Sequence, residues 1–153
     1  MMRIFKLSIK FAPWIALLLL SPYFWLPTSY WFDVDYVRVA NTVVGVSPAL
    51  TVSRTIHRPF VASWAATVRK VESEDGVARF VTTCAATGRT NYIPEASFPK
   101  GLNLDWWTFP VHCLLDKGQY IMTTVWTINL LGGIERDVVV PSNVFMVKGQ
   151  EPE

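Results

Sequence analysis

An uncharged run near the start constrains this chain more than any other feature. Between Lys10 and Asp33 no charged residue occurs, and the centre of the run reads Trp14-Ile-Ala-Leu-Leu-Leu-Leu20. A helix of about 20 apolar residues crosses the hydrocarbon core of a bilayer. Residues 11–31 therefore read as one transmembrane signal-anchor, preceded by a short basic tail over 1–10. Arg3, Lys6 and Lys10 lie before the run and the first acidic residue, Asp33, lies after it. That asymmetry places the N-terminus in the cytoplasm. Trp25, Tyr30 and Trp31 fall at the outer end of the span, where amphipathic rings sit among headgroups. Pro13, Pro22 and Pro27 would each break a buried soluble helix. A cleaved signal peptide shares the basic start, but cleavage after Ser29 would put Pro27 where a small residue is wanted.

The remainder, 32–148, is then an extracytoplasmic domain with a polar tail over 149–153. The expected setting is a bacterial inner membrane with the domain in the periplasm. The chain carries 14 basic and 12 acidic residues. Three basic residues precede the span and every acidic residue follows it, so the domain is close to neutral. No basic cluster exists to neutralise phosphates, which argues against nucleic-acid binding. Cys84 and Cys113 are the two cysteines. Outside the cytoplasm they are expected to form a disulfide. Closing a loop of about 30 residues stabilises by roughly 3–4 kcal/mol in the chain-entropy model.

The domain reads as strands. Residues 32–40 start one directly after the span, 41–48 form a connection with Gly45 and Pro48, and 49–57 form a second strand. From Phe60, the alternation of Phe60, Ala62, Trp64, Ala66 and Val68 marks one face at period two. Residues 72–76 end in Asp75-Gly76, a hairpin signal, and 77–86 return as the partner. Residues 87–100 read as the longest loop, broken by Gly88, Pro94 and Pro99. Residues 102–109 hold a short strand or turn with Trp106 and Trp107. Tyr120, Met122, Thr124, Trp126 and Ile128 line one face of the clearest strand, and 136–147 give the last strands, interrupted at 141–143.

About seven short strands without a helix predict an all-β antiparallel sandwich. Asp116-x-Gly118-x-Tyr120 resembles the Asp-x-Gly-x-Tyr corner of immunoglobulin-like and fibronectin-like domains. The resemblance implies a tyrosine hydroxyl bonded back to nearby backbone. Immunoglobulin-type domains carry Cys two places after that tyrosine; here the position is Met122, and the resemblance implies no particular activity.

Catalytic constellations are sparse. His57 and His112 are the only histidines and stand far apart, leaving only a remote His57–His112–carboxylate metal site. Gly-x-Ser-x-Gly is absent. His112 and Cys113 are adjacent, so on a strand they point to opposite faces. Glu72, Glu74, Asp75, Glu95 and Asp105 could supply paired carboxylates, but most sit in the charged hairpin. No cofactor is expected and the chain reads as a non-enzyme. Trp106 and Trp107 cannot both face inward on a strand, so one is expected at the surface beside the 87–100 loop. With Tyr92, Arg89, Asn91 and Lys100 they form the expected binding site. Exposed rings of this kind anchor protein partners or stack on sugars. The expected function is a membrane-anchored binding or assembly module contacting another envelope protein. The alternative is a module binding peptidoglycan or another envelope glycan.

Overall fold

The structure is a computed structural model that describes residues 14, 25–74, 77–94, 101–103, 113–130 and 133–149. Among them lie a short 3-10 helix, Thr28–Tyr30, and nine strands. The strands are β1 (Phe32–Val39), β2 (Thr42–Val43), β3 (Ala49–Ile56), β4 (Phe60–Glu74), β5 (Val77–Tyr92), β6 (Gly101–Asn103), β7 (Gly118–Asn129), β8 (Glu135–Pro141) and β9 (Phe145–Lys148). The fold is all-β. Most of the expected anchor lies outside the described residues, and no helix among those described is long and apolar enough to cross a membrane.

Two sheets share one core. The smaller has the order β1-β3-β6; the larger runs β2-β9-β7-β4-β5, with β8 also paired to β7. β8 and β9 follow one another along the same side of β7, against Thr123–Asn129 and Gly118–Tyr120 respectively. Pro141, opposite Thr123, ends β8, and the ladder breaks after it, since proline has no N–H to donate. Ser142 repairs the break: its N–H donates to the Met122 carbonyl at 2.7 Å, and its Oγ accepts the Met122 N–H at 3.0 Å. Asn143 ties the two sheets. Its Oδ1 accepts the Val39 N–H at 2.9 Å and its Nδ2 donates to the Val39 carbonyl at 3.0 Å.

The period-two faces expected for β4 and β7 are the buried ones. Ala62, Ala66 and Val68 of β4 and Tyr120, Met122, Trp126 and Ile128 of β7 are each almost fully buried. They meet Val37, Val39, Leu50 and Val52 of the smaller sheet. An aromatic cluster fills the core at the end where Phe32 lies. There the Phe32 ring lies 5.4 Å from Phe60, 5.7 Å from Tyr92 and 5.5 Å from Trp126. Trp31, expected at a membrane edge, instead belongs to this core at 4% exposure. At the other end the Tyr120 hydroxyl donates to the Asp116 carbonyl at 2.9 Å, the backbone bond that the Asp116-x-Gly118-x-Tyr120 pattern implied.

The strand expected over 77–86 continues to Tyr92, so 87–92 is not loop. β4 starts at Phe60 and offers backbone partners as far as Tyr92. Gly88, which reads locally as a breaker, sits opposite Trp64. A Cβ at Gly88 would lie 2.5 Å from Trp64 Cζ2. The indole thus covers the bare glycine, a pairing that lets glycine persist in a strand near a sheet edge.

Two substitutions should move stability in opposite directions. Gly88→Ala forces the Trp64 ring aside and is expected to destabilise by about 1–3 kcal/mol, the usual cost of overpacking. Thr124 is fully buried and its Oγ1 has no hydrogen-bond partner among the described residues. Thr124→Val should stabilise by about 1 kcal/mol, because the valine removes an unsatisfied hydroxyl. Urea unfolding of both variants checks the signs.

Candidate binding surface

β5 carries three of the expected site residues, and the pleat divides them. Arg89 and Asn91 are exposed on the outer face, opposite Ser63 and Val61. Tyr92 points the other way and is 2% exposed. Its ring stacks on Phe60 at 4.9 Å between centroids, and its hydroxyl accepts from Trp126 Nε1 at 3.1 Å. Tyr92 is therefore a core residue and not part of a surface with Arg89 and Asn91. The error follows from reading 87–92 as loop, where side-chain alternation does not apply. Lys100, Trp106 and Trp107 lie outside the described residues, as do His112, Glu95 and Asp105.

Electrostatics around Tyr92 match a buried role. Burial pushes its phenol above the usual tyrosine value, partly offset by Arg54 and by hydrogen bonds from Trp126 and Thr90. The Arg54 guanidinium lies 5.8 Å from the Tyr92 ring centroid, and burial pulls its own pKa down. Burial also raises Tyr120.

Cys84 and Cys113 form the expected disulfide, with Cα atoms 5.7 Å apart. Cys84 stands opposite Val68 at an irregularity of the ladder, where Thr83 has no partner on β4. The bridge fastens β5 to the segment that leads into the tyrosine corner. Beyond it β4 and β5 leave the core together. β4 pairs with β7 as far as Val71, so 72–74 and 77–79 form a two-stranded arm, and Phe80 and Val81, opposite Val71 and Lys70, lie at its base. Every residue of Val77–Thr83 is exposed, including Val77 at 63%, Phe80 at 55% and Val81 at 48%. Lys70 at the base, and Glu72 and Arg79 on the arm, share the side that continues the core face, with Lys70 Nζ 3.5 Å from Glu72 and Arg79 opposite Glu72. Phe80 and Val71 are direct partners on the other side. β5 pairs only with β4 among the described strands, so its outer edge is an edge of the larger sheet.

A cleft of about 310 Å³ opens at the same end, between 44–48 and 113–116. Val44, Val46, Pro48, Leu114 and Leu115 supply most of its apolar lining, and Leu114 is 81% exposed. The turn that shapes it has the Val46 N–H donating to the Val43 carbonyl at 3.1 Å, with Gly45 at φ 83°. That positive φ is where a type II turn requires glycine.

The arm was missed because Val77, Phe80 and Val81 read as ordinary strand residues. One signal could have found it: the hairpin is far longer than the strands it would need to cover. His57 Nε2 lies 2.9 Å from Asp33 Oδ2 on the surface. Among the described residues no group of three or more His, Cys, Asp or Glu side chains is arranged to hold a metal ion.

The chain matches no protein-family profile and no curated protein by sequence. Among solved structures it is similar to Spo0M, a sporulation control protein from Bacillus subtilis, at 16% identity and a TM-score of 0.39. That match covers 78% of this chain and 50% of the other, so the chain spans about half the length of that protein.

Replacing Tyr92 tests its core role. Tyr92→Phe removes the acceptor for Trp126 Nε1 and is expected to cost about 1–2 kcal/mol at neutral pH. Because the folded state raises the phenol pKa, the folded chain keeps a proton that the unfolded chain releases above about pH 10. Stability is thus full below that pH and falls as pH rises through the folded-state pKa. Tyr92→Phe should flatten part of this alkaline decline, leaving the part due to Tyr120. Denaturation midpoints measured from pH 8 upward, at roughly half-unit steps, check both effects.

Proposed function

We propose that this chain is a membrane-held, extracytoplasmic protein-binding module of immunoglobulin-like build. It contacts another envelope protein through β5 and the arm that β5 forms with β4, and it performs no catalysis. The observation that carries this reading is the exposure of Val77 on the arm and of Phe80 and Val81 at its base, all on an edge strand. Apolar side chains on a sheet edge fit recognition by strand addition, in which backbone bonds give affinity and alternate side chains give specificity. The arm also lies at the opposite end of the sheets from Trp31 and Phe32, because β4 runs from Phe60 beside Tyr92 to the hairpin. A domain held at its N-terminal end would present the arm away from the membrane. The disulfide supports an oxidising compartment.

The glycan-binding alternative is less supported. Tyr92 is taken up by the core, which leaves Arg89 and Asn91 as its described polar contributors.

A photo-crosslinking residue at Phe80, compared in intact cells with one at exposed Thr55, tests the proposal. A discrete membrane-protein adduct from Phe80 and none from Thr55 is expected. Phe80→Ser with Val81→Ser should abolish a partner adduct formed from Arg89 without lowering the melting temperature. Equal labelling from Phe80 and Thr55 would refute the arm as the contact. Retention on purified sacculi that the double variant leaves unchanged would favour the glycan alternative.

A further inference from the structure

We infer that the end of the domain opposite the arm is a bilayer-contacting surface that rests on anionic lipid headgroups. This inference rests on the membrane-held reading and adds an orientation and a lipid chemistry to it.

The first support is the way residues 26–32 join the domain. Leu26 packs against the core and Trp31 is part of it. Between them the Tyr30 N–H donates to the Pro27 carbonyl and the Trp31 N–H to the Thr28 carbonyl, both at 3.0 Å. The Trp31 carbonyl in turn accepts the N–H of His57 at 2.8 Å and of Arg58 at 3.4 Å. Among the described residues, 26–32 therefore form a hydrogen-bonded turn fixed to the β3–β4 corner. A 3-10 turn rises only about 2 Å per residue, so a membrane-inserted run ending near Leu26 would hold this end of the sheets at headgroup depth.

The second support is what this end exposes. Trp25 is 83% exposed and Ile93 50%, and Pro59 and Pro94 are also exposed. The two prolines lack an N–H, so those turns place fewer unpaired donors against lipid. The Arg58 guanidinium lies 4.3 Å from the Tyr30 ring centroid. A cation held on an aromatic face, beside an exposed tryptophan, suits the interface, where the ring sits among headgroups and the cation meets lipid phosphates. The nearby Asp33 carboxylate is held by His57 Nε2 at 2.9 Å.

The full chain, with its disulfide intact, is reconstituted into phosphatidylcholine vesicles with and without phosphatidylglycerol. An environment-sensitive fluorophore is attached through I93C or, in a second sample, F80C, after the labelled protein is shown to melt as the unlabelled one does. Carbonate extraction is scored first, and quenching by headgroup-labelled lipid second. Expected are carbonate resistance, strong quenching at I93C that increases with phosphatidylglycerol, and little at F80C. R58E should remove the dependence on phosphatidylglycerol. Carbonate resistance with equal quenching at the two positions would overturn the surface and leave the membrane-held reading standing. Release by carbonate would overturn that reading and this inference with it. An R58E response identical to the unaltered chain would overturn the headgroup contact assigned to Arg58.

Discussion

The contact among Phe32, Phe60, Tyr92 and Trp126 is what the two sheets depend on. Phe32 comes from the smaller sheet and the other three from the larger, so the cluster joins the layers at one end. Aromatic rings bury large areas and favour tilted or offset contacts, which fixes their spacing as well as their proximity. Tyr92 and Trp126 add a hydrogen bond inside the cluster, so their polar atoms are not stranded by burial. The chain enters the fold here, and Trp31 is held in place by the packing beside it. The opposite end is closed by the stacked rings of Tyr120 and Phe145, the tyrosine corner, the disulfide and the Asn143 bridge.

The place where the core stops explains the shape of the β4–β5 hairpin. Sheet pairing continues beyond the point where inward-facing apolar residues stop. Val68 is the last fully buried residue on β4; the next positions on that face are Lys70 and Glu72, both charged, the first half-buried and the second exposed. An isolated two-stranded ribbon is marginal in water. The arm is held by its continuity with a paired sheet, by cross-strand charges at Glu72 and Arg79, and by the disulfide just below it. Local opening energies should therefore be lowest along the arm, since stability follows buried contacts.

The sequence was most informative where burial imposed a strict period. The faces of β4 and β7 were legible residue by residue, as was the corner at Tyr120, because each depends on side chains one strand presents to one core. The pairing of Cys84 with Cys113 was legible from there being two cysteines and from the oxidising compartment the sequence leads one to expect. What failed was local punctuation: Gly88 suggested a loop, and only the cross-strand partner Trp64 explains why a strand runs through it. Tyr92 was misplaced for the same reason, and Trp31 because an aromatic at the end of an apolar run fits a headgroup layer and a domain core equally well. The small bridging roles of Ser142 and Asn143 depend on contacts across more than a hundred positions for Asn143 and Val39, which no local pattern contains.

Exposed apolar residues on β5 could be regarded as an unmanaged sheet edge. The strand carries devices that argue otherwise. Edges are protected from indiscriminate pairing by charges, by irregularities that twist the strand away, and by short length. β5 has Arg79 and Arg89 along it and an unpaired residue at Thr83. Two copies of β5 meeting about Cys84 would set Arg79 against Arg89, and like charges directly opposed are destabilising. The irregularity also separates the arm from the rest of the edge, so a long partner strand cannot keep one register across both. Against that background Val77, Phe80 and Val81 are a short apolar segment, interrupted by Arg79 and ended by the kink at Thr83. A short segment of this kind suits one short strand of complementary sequence better than open-ended self-association.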